Sequence, residues 1–397
     1  MVLIYIHFKY LIVLIKIIHI IPNLNKGGAE RITLDICKVL ASREDVEVIL
    51  LIIKSEINFE IPDILDVLVT SSNVKLSIWK KNKYYLQDFE RLIARFQPDI
   101  IHSHLFDAEV LSRARVKKNI IYISHIHDNI IQFNRSNFFS PTKRKLVQIY
   151  ERLWIFNRYK NINNHFISIS SDTTFFLKSV LPRHLKNNIF ELSNAINYKH
   201  FENNNYRYIS KDLVRIVSVG SLVKKKNHRL ILEVASKLKD LLTNIEFFIL
   251  GDGPERSNLQ NEIINRGLSN HVKLLGNVND VSKYLNMSSI FLHTATYEPF
   301  GLVLLEAMAS GLPVISLDGG GNRDIVLDGK NGFLIKENVS EKFVRKILFL
   351  IDNPVVYQNM STFSKQFSKQ FDIHNYVEKL VDFYKKKIKL NDYNCQL

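Results

Sequence analysis

Cysteine is nearly absent: the chain of 397 residues carries two, Cys37 and Cys395, far apart and in no ligand-like spacing. That excludes a disulfide-stapled scaffold and a cysteine-based metal centre, and it fits a reduced, cytoplasmic compartment. Cys37 reads as a helix packing residue and Cys395 as part of a polar tail. Acidic residues are also short, 39 against 54 Lys and Arg, which leaves a net charge of +15. The excess is spread along the chain, no nucleic-acid module accompanies it, and the aromatics do not interleave with a basic stripe. Nucleic acid is therefore not an expected partner. An anionic membrane surface suits this charge better. Low-complexity tracts are missing, and so is a clean hydrophobic span. Met1 to Ile15 is apolar apart from His7 and Lys9, but Lys9 interrupts it. It also lacks the basic start and small-residue cleavage site of a signal peptide. Residues 1–15 read as an apolar N-terminal extension, with a weak interfacial anchor as the alternative.

What is present is an ordinary folding composition, 46% hydrophobic and 23% charged, in a chain long enough for two domains. Short β-branched runs alternate with amphipathic stretches, the pattern of a parallel sheet wrapped by helices. In the first half the strand candidates are Lys16–Ile21, Val46–Ile53, Asp99–His102, Ile120–His125 and His165–Ile169. A second series runs through Arg215–Gly220, Glu246–Leu250, Val272–Leu275, Ile290–His293 and Pro313–Ser316. The expected organisation is an α/β pair of Rossmann-like domains, residues 16–200 and 212–374, joined by a polar linker at 201–211. A C-terminal helix and tail, 375–397, carries Val377, Leu380, Val381 and Tyr384 at helical spacing and is expected to pack back on the first domain. Two doubly wound domains place their loops around a shared cleft, so function is expected there.

The strongest chemical signal is the run from Glu298 to Glu306, two carboxylates with seven residues between them. Pro299 suits the first position of a helix, which would turn the amides of Phe300, Gly301 and Leu302 toward an anion. Gly301 admits a close ligand, and Glu306 lies about 12 Å further along at ~1.5 Å rise per residue. That is too far for the paired carboxylates of a glycosidase, about 5–9.5 Å apart. It suits a sugar and a ribose with a diphosphate between. Two His-x-His pairs, His102/His104 and His125/His127, raise a metal site. No Cys, Asp or Glu completes an obvious set, and no metal is expected.

Glu-x7-Glu followed by Ala307–Ile315 resembles the retaining glycosyltransferases of family 4, with the two-domain GT-B fold. The likeness covers nearly everything from Lys16 to about Leu390. It is dense at Gly27–Arg31, Pro98–His102, Leu250–Pro254 and Gly319–Val326. The resemblance implies that Glu298 contacts the donor sugar, Glu306 the ribose, and the Phe300–Leu302 amides the diphosphate. It implies that Lys226 neutralises leaving-group phosphate and that Val281 lies in the loop under the base. Gly27 and Gly28 would lie under the diphosphate and face the acceptor, and His127 would stand near donor sugar and acceptor. Ser221 takes the place of a family arginine, which removes a bidentate phosphate donor unless Lys224 or Lys225 substitutes. The implied activity is metal-independent transfer from a nucleotide-sugar donor to a saccharide or polyprenyl-linked acceptor in bacterial surface polysaccharide synthesis, with no cofactor. The expected location is cytoplasmic, peripheral at the inner face of the plasma membrane. A nucleotide-sugar 2-epimerase of the same fold and a non-catalytic GT-B subunit are the alternatives.

Overall fold

A computed structural model describes residues 14–134, 142–205, 207–242 and 244–396. Most of the expected extension, residues 1–13, lies outside these. Ile15 already opens the first strand, one residue before the expected start at Lys16.

Among the described residues, nine strands belong to the first half: β1 (Ile15–Ile21), β2 (Val46–Ile52), β3 (Asp66–Val69), β4 (Asn73–Lys75), β5 (Lys83–Tyr85), β6 (Ile100–His104), β7 (Ile121–Ile126), β8 (Asn164–Ser168) and β9 (Ile189–Glu191). Seven of them form one sheet in the order β3-β2-β1-β6-β7-β8-β9, and every pairing is parallel. Strands β4 and β5 form a separate antiparallel hairpin. The second half contributes β10 (Val214–Val219), β11 (Ile245–Leu250), β12 (Val272–Gly276), β13 (Ile290–His293), β14 (Val314–Leu317) and β15 (Gly332–Ile335). They form a second parallel sheet, ordered β12-β11-β10-β13-β14-β15. Buried parallel strands need apolar residues on both faces, which is why they read as runs of Ile, Val and Phe. In each sheet the order switches beside the first strand, at β1 and at β10. Loops at such switch points are where doubly wound folds bind ligands.

The helix Gly28–Ala41 buries Ile32, Ile36, Cys37 and Leu40 against the first sheet. On the same face the C-terminal helix, Ile373–Gln396, inserts Val377, Leu380, Val381 and Tyr384 into the core around Ile17, Ile100 and Ile121. The chain thus leaves the second sheet and returns to the first. The crossing is stitched by backbone bonds, Ile196 N to Phe371 O and Ile373 N to Ile196 O, both 2.9 Å. Arg207, in the polar stretch joining the halves, is buried in the second. Its guanidinium donates to the carbonyls of Leu285, Asn286, Ser288 and Ser310. Among the described residues no helix is long and apolar enough to cross a membrane.

Because Leu380 is fully enclosed, Leu380→Ala is expected to cost about 2–5 kcal/mol of stability. A thermal or urea melt of the variant checks this, and an unchanged midpoint would show that the returning helix does not hold the first domain.

Candidate active site

Glu298 lies on the segment that leaves β13, and its side chain is buried. A buried carboxylate demands partners, and two converge on Oε2. Lys226 Nζ donates at 2.5 Å and His293 Nε2 lies 3.1 Å away. Burial alone would raise this carboxyl, but the His293 hydrogen bond and the Lys226 charge outweigh it and hold it down at about 2. His293 is pushed below its ordinary value, chiefly by burial. The site therefore holds one carboxylate against one ammonium, with a neutral imidazole beside them. Lys226 reaches this point because Thr296 N donates to Lys225 O and the Thr294 hydroxyl to Lys226 O, which ties the loop after β10 to the end of β13.

The segment after Glu298 corrects one expectation. Pro299 is not the first residue of a helix. Glu298 pairs with Gly320 as an extended bridge, Glu298 N donating to Gly319 O and Gly321 N to Glu298 O. The chain then turns at Gly301, whose φ of 103° suits glycine, and the helix begins at Leu302 and ends at Ala309. Phe300 is buried in the core beside Phe371. The helix N-terminus is therefore formed from Leu302 onward, and the Phe300 side chain serves packing.

Glu306, two turns from Glu298's segment, is half-buried and shares a small cavity with Arg31, Asp35 and Asn197. Burial raises its carboxyl to about 7, with Asp35 adding to the rise and Arg31 opposing it. The first half of the chain thus faces it directly. Gly28 does the same to Leu302: a Cβ on Gly28 would stand 3.7 Å from the Leu302 side chain. Gly27, just before the helix, lies against the Glu30 carboxylate. Lys225 pairs with Asp128 across the cleft at 3.3 Å, and Ser171 donates twice to Asp324, at 2.6 and 2.7 Å. Ser221 is exposed at the end of β10. Val281 opens the helix capped by Asp280 and rests on the second core.

His127 follows β7 and precedes the Asp128 that bridges the cleft. It is buried, and its Nε2 lies 2.8 Å from His104 Nδ1. The two His-x-His pairs meet His19 of β1, and the sets His19/His102/His104 and His104/His125/His127 each gather ring nitrogens within 4.8 Å. Histidine alone completes both sets, with no Cys, Asp or Glu among them.

The chain is matched by two family models. "Glycosyltransferase Family 4" covers residues 26–184, and "Glycosyl transferases group 1" covers 202–367. This chain belongs to glycosyltransferase family 4. An uncharacterized glycosyltransferase of Methanocaldococcus jannaschii is 30% identical over 198 residues, 49% of this chain and 53% of that protein. The Escherichia coli UDP-Gal:alpha-D-GlcNAc-diphosphoundecaprenol alpha-1,3-galactosyltransferase is 25% identical over 308 residues, 74% of this chain and 77% of that one. The first relatives are matched over about half their own length or less, 38–53%. Among solved structures, Anabaena HepE in complex with UDP-glucose superposes with a TM-score of 0.72 at 19% identity, covering 94% of this chain and 99% of that one. The fold is GT-B.

For a family 4 member, several residues of this cleft had no sequence signal. His293 is the end of a strand and reads as core. Asp35 reads as the polar face of a helix, whereas Arg31 closes the Gly27–Arg31 stretch that resembles the family. Tyr297 and Asn129 meet across the cleft, with Asn129 N donating to the tyrosine oxygen at 3.4 Å. Only the fold brings these together.

The raised Glu306 carboxyl makes a pH prediction. The unfolded chain gives up this proton near its ordinary 4.5, whereas the folded chain keeps it to about 7. Between these values the native state binds more protons, so stability falls as pH rises through that window. Glu306→Gln is expected to flatten this fall. Melting temperatures recorded from about pH 5 to about pH 8 for both proteins check it.

Proposed function

We propose that this chain is a retaining glycosyltransferase that moves a sugar from a nucleotide-sugar donor onto a saccharide or polyprenyl-linked acceptor, without a metal. The observation that carries the reading is the buried Glu298–Lys226 pair between two switch-point loops, beside a helix N-terminus at Leu302. The E. coli relative, named for transfer onto a diphosphoundecaprenol-linked sugar, supports the acceptor class. HepE, solved with UDP-glucose, supports the donor class. In this reading Glu298 accepts hydrogen bonds from the sugar hydroxyls, and its ionised state suits it to do so. Lys226 gives its charge to the departing diphosphate as the bond from the anomeric carbon to the phosphate oxygen breaks. The acceptor oxygen bonds to that carbon from the same face. Its proton passes to a leaving phosphate oxygen, so no side-chain base is required.

Ser221 offers a hydroxyl where a guanidinium would give two parallel donors. Lys225, drawn over the cleft by Asp128, supplies a cation in the same loop. The setting we infer is surface polysaccharide assembly at the inner face of the plasma membrane. The +15 net charge supports an anionic surface nearby.

Glu298→Gln keeps the side chain's shape and removes its charge. It is expected to lower turnover by about 100- to 1000-fold with the fold retained, on the scale of losing one transition-state contact. Sugar transfer assayed with UDP-, GDP-, ADP- and CMP-sugars checks this. Undiminished turnover by the variant would sink the assignment.

A further inference from the structure

Five histidines line one face of the first sheet near its C-terminal edge. His19 on β1 stands opposite His102 on β6, and His104 on β6 opposite His125 on β7, with His127 just beyond. Alternate residues of a strand share a face, so the set converges from three adjacent strands. All five are buried. Neighbouring rings lie 4.2–5.2 Å apart between centroids. No carboxylate bonds to any of them among the described residues. Burial drives every one below its ordinary value, His19 and His127 to about 3, and neighbouring histidines add to the fall at His102, His104 and His125. At neutral pH they are neutral imidazoles, each with one N–H and one bare nitrogen.

Four of the contacts form a continuous line. Tyr384 Oη lies 2.6 Å from His102 Nδ1 and 3.3 Å from His19 Nε2. His19 Nδ1 lies 2.9 Å from His104 Nε2, and His104 Nδ1 lies 2.8 Å from His127 Nε2. A neutral chain of this kind has a single direction. Taking the short contact as an O–H donor's, Tyr384 donates to His102 and accepts from His19, which leaves the His102 Nε2–H buried without a protein partner among the described residues. With its proton on Nε2, His19 must accept from His104 at Nδ1. His104 in turn carries its proton on Nε2 and accepts from His127. That leaves Nδ1 of His127 bare, and this buried nitrogen has no protein partner among the described residues. Tyr384 keeps its proton, since burial raises the phenol well above its ordinary value.

We propose that the Tyr384–His19–His104–His127 line fixes His127 in its Nε2–H tautomer, so that its Nδ1 lone pair accepts a hydroxyl of the sugar bound at the cleft. Tyr384, His19 and His104 are positioning residues that act through His127. The identity of the ligand rests on the proposed function; the tautomer does not.

The experiment is 15N NMR of histidine-labelled full-length protein, wild type and Tyr384→Phe, with donor kinetics alongside. The wild type is expected to show His127 protonated on Nε2 and bare on Nδ1. The variant, lacking the terminal hydroxyl, is expected to show a mixture of the two tautomers. It should also raise KM for the donor by about three- to tenfold with kcat changed less than about twofold, the mark of a lost ground-state hydrogen bond. His19→Phe keeps a ring in the stack, removes both nitrogens and is expected to give the same mixture, should Tyr384→Phe fail to fold. Protonation on Nδ1 in the wild type overturns the proposal, as does a tautomer unmoved by either variant. A stoichiometric transition metal in the purified protein, with these nitrogens ligated, overturns it in favour of a metal centre. A responsive tautomer in a protein that transfers no sugar would defeat the proposed function and uphold the line.

Discussion

One buried carboxylate organises the cleft. Glu298 stays ionised inside the second domain only because Lys226 and His293 surround it. Removing one partner from such a group typically costs about 3–5 kcal/mol. Keeping Lys226 there requires the loop after β10 to lie against the end of β13, which the Thr294 and Thr296 bonds accomplish. The glycines at 319–321 answer the same demand from the other side. A Cβ on Gly321 would stand 1.9 Å from Pro299 O, and one on Gly319 2.8 Å from Glu298 N. Three loops are thus drawn to one charge, and the backbone between them has no room for side chains.

The two halves are joined by contacts of two kinds. Across the cleft they are polar and near solvent: Lys225 with Asp128, and Ser171 with Asp324. Exposed pairs of this sort contribute little, about 0–1 kcal/mol each, so a charged ligand can compete for them. Behind the cleft the returning helix buries Val377, Leu380 and Val381 among the residues of the first core. Apolar contacts of that depth contribute about 1.5–3 kcal/mol per side chain. The division lets the cleft exchange partners while the domains stay attached.

The sequence showed the central strands of both sheets well, because buried parallel strands are continuous apolar runs. It did not show β3, β9 or β15. These have three or four residues each, and β3 is largely exposed at a sheet edge, so no periodicity distinguishes them from loops. In the site, Glu298 and Glu306 stood out as carboxylates at fixed spacing around a glycine, and Lys226 through its match to the family. The helix start did not: Pro299 is a favourable first residue, but the bridge to Gly320 holds that stretch extended, a tertiary contact that local preference cannot register. His19 shows the same limit. Nothing near it in sequence marks it, and its meaning comes from strands some 80 and 100 residues away, set beside it by parallel pairing.

The two glutamates of the motif are pushed in opposite directions from their ordinary value by their surroundings. Glu298 has a cation within contact distance and is ionised far below neutral pH. Glu306 sits near Asp35 in a confined cavity, with Arg31 already committed to Asp35 at 3.0 Å, and titrates near 7. Pairs pushed apart in this way divide labour between them. A permanently charged group suits steady electrostatic work beside a leaving group. A group poised at neutrality suits reversible binding, because hydroxyl donors entering the cavity favour its ionised form and exchange one proton for two hydrogen bonds. Burial, with Asp35 adding to it, therefore makes the Glu306 carboxyl responsive to what binds beside it.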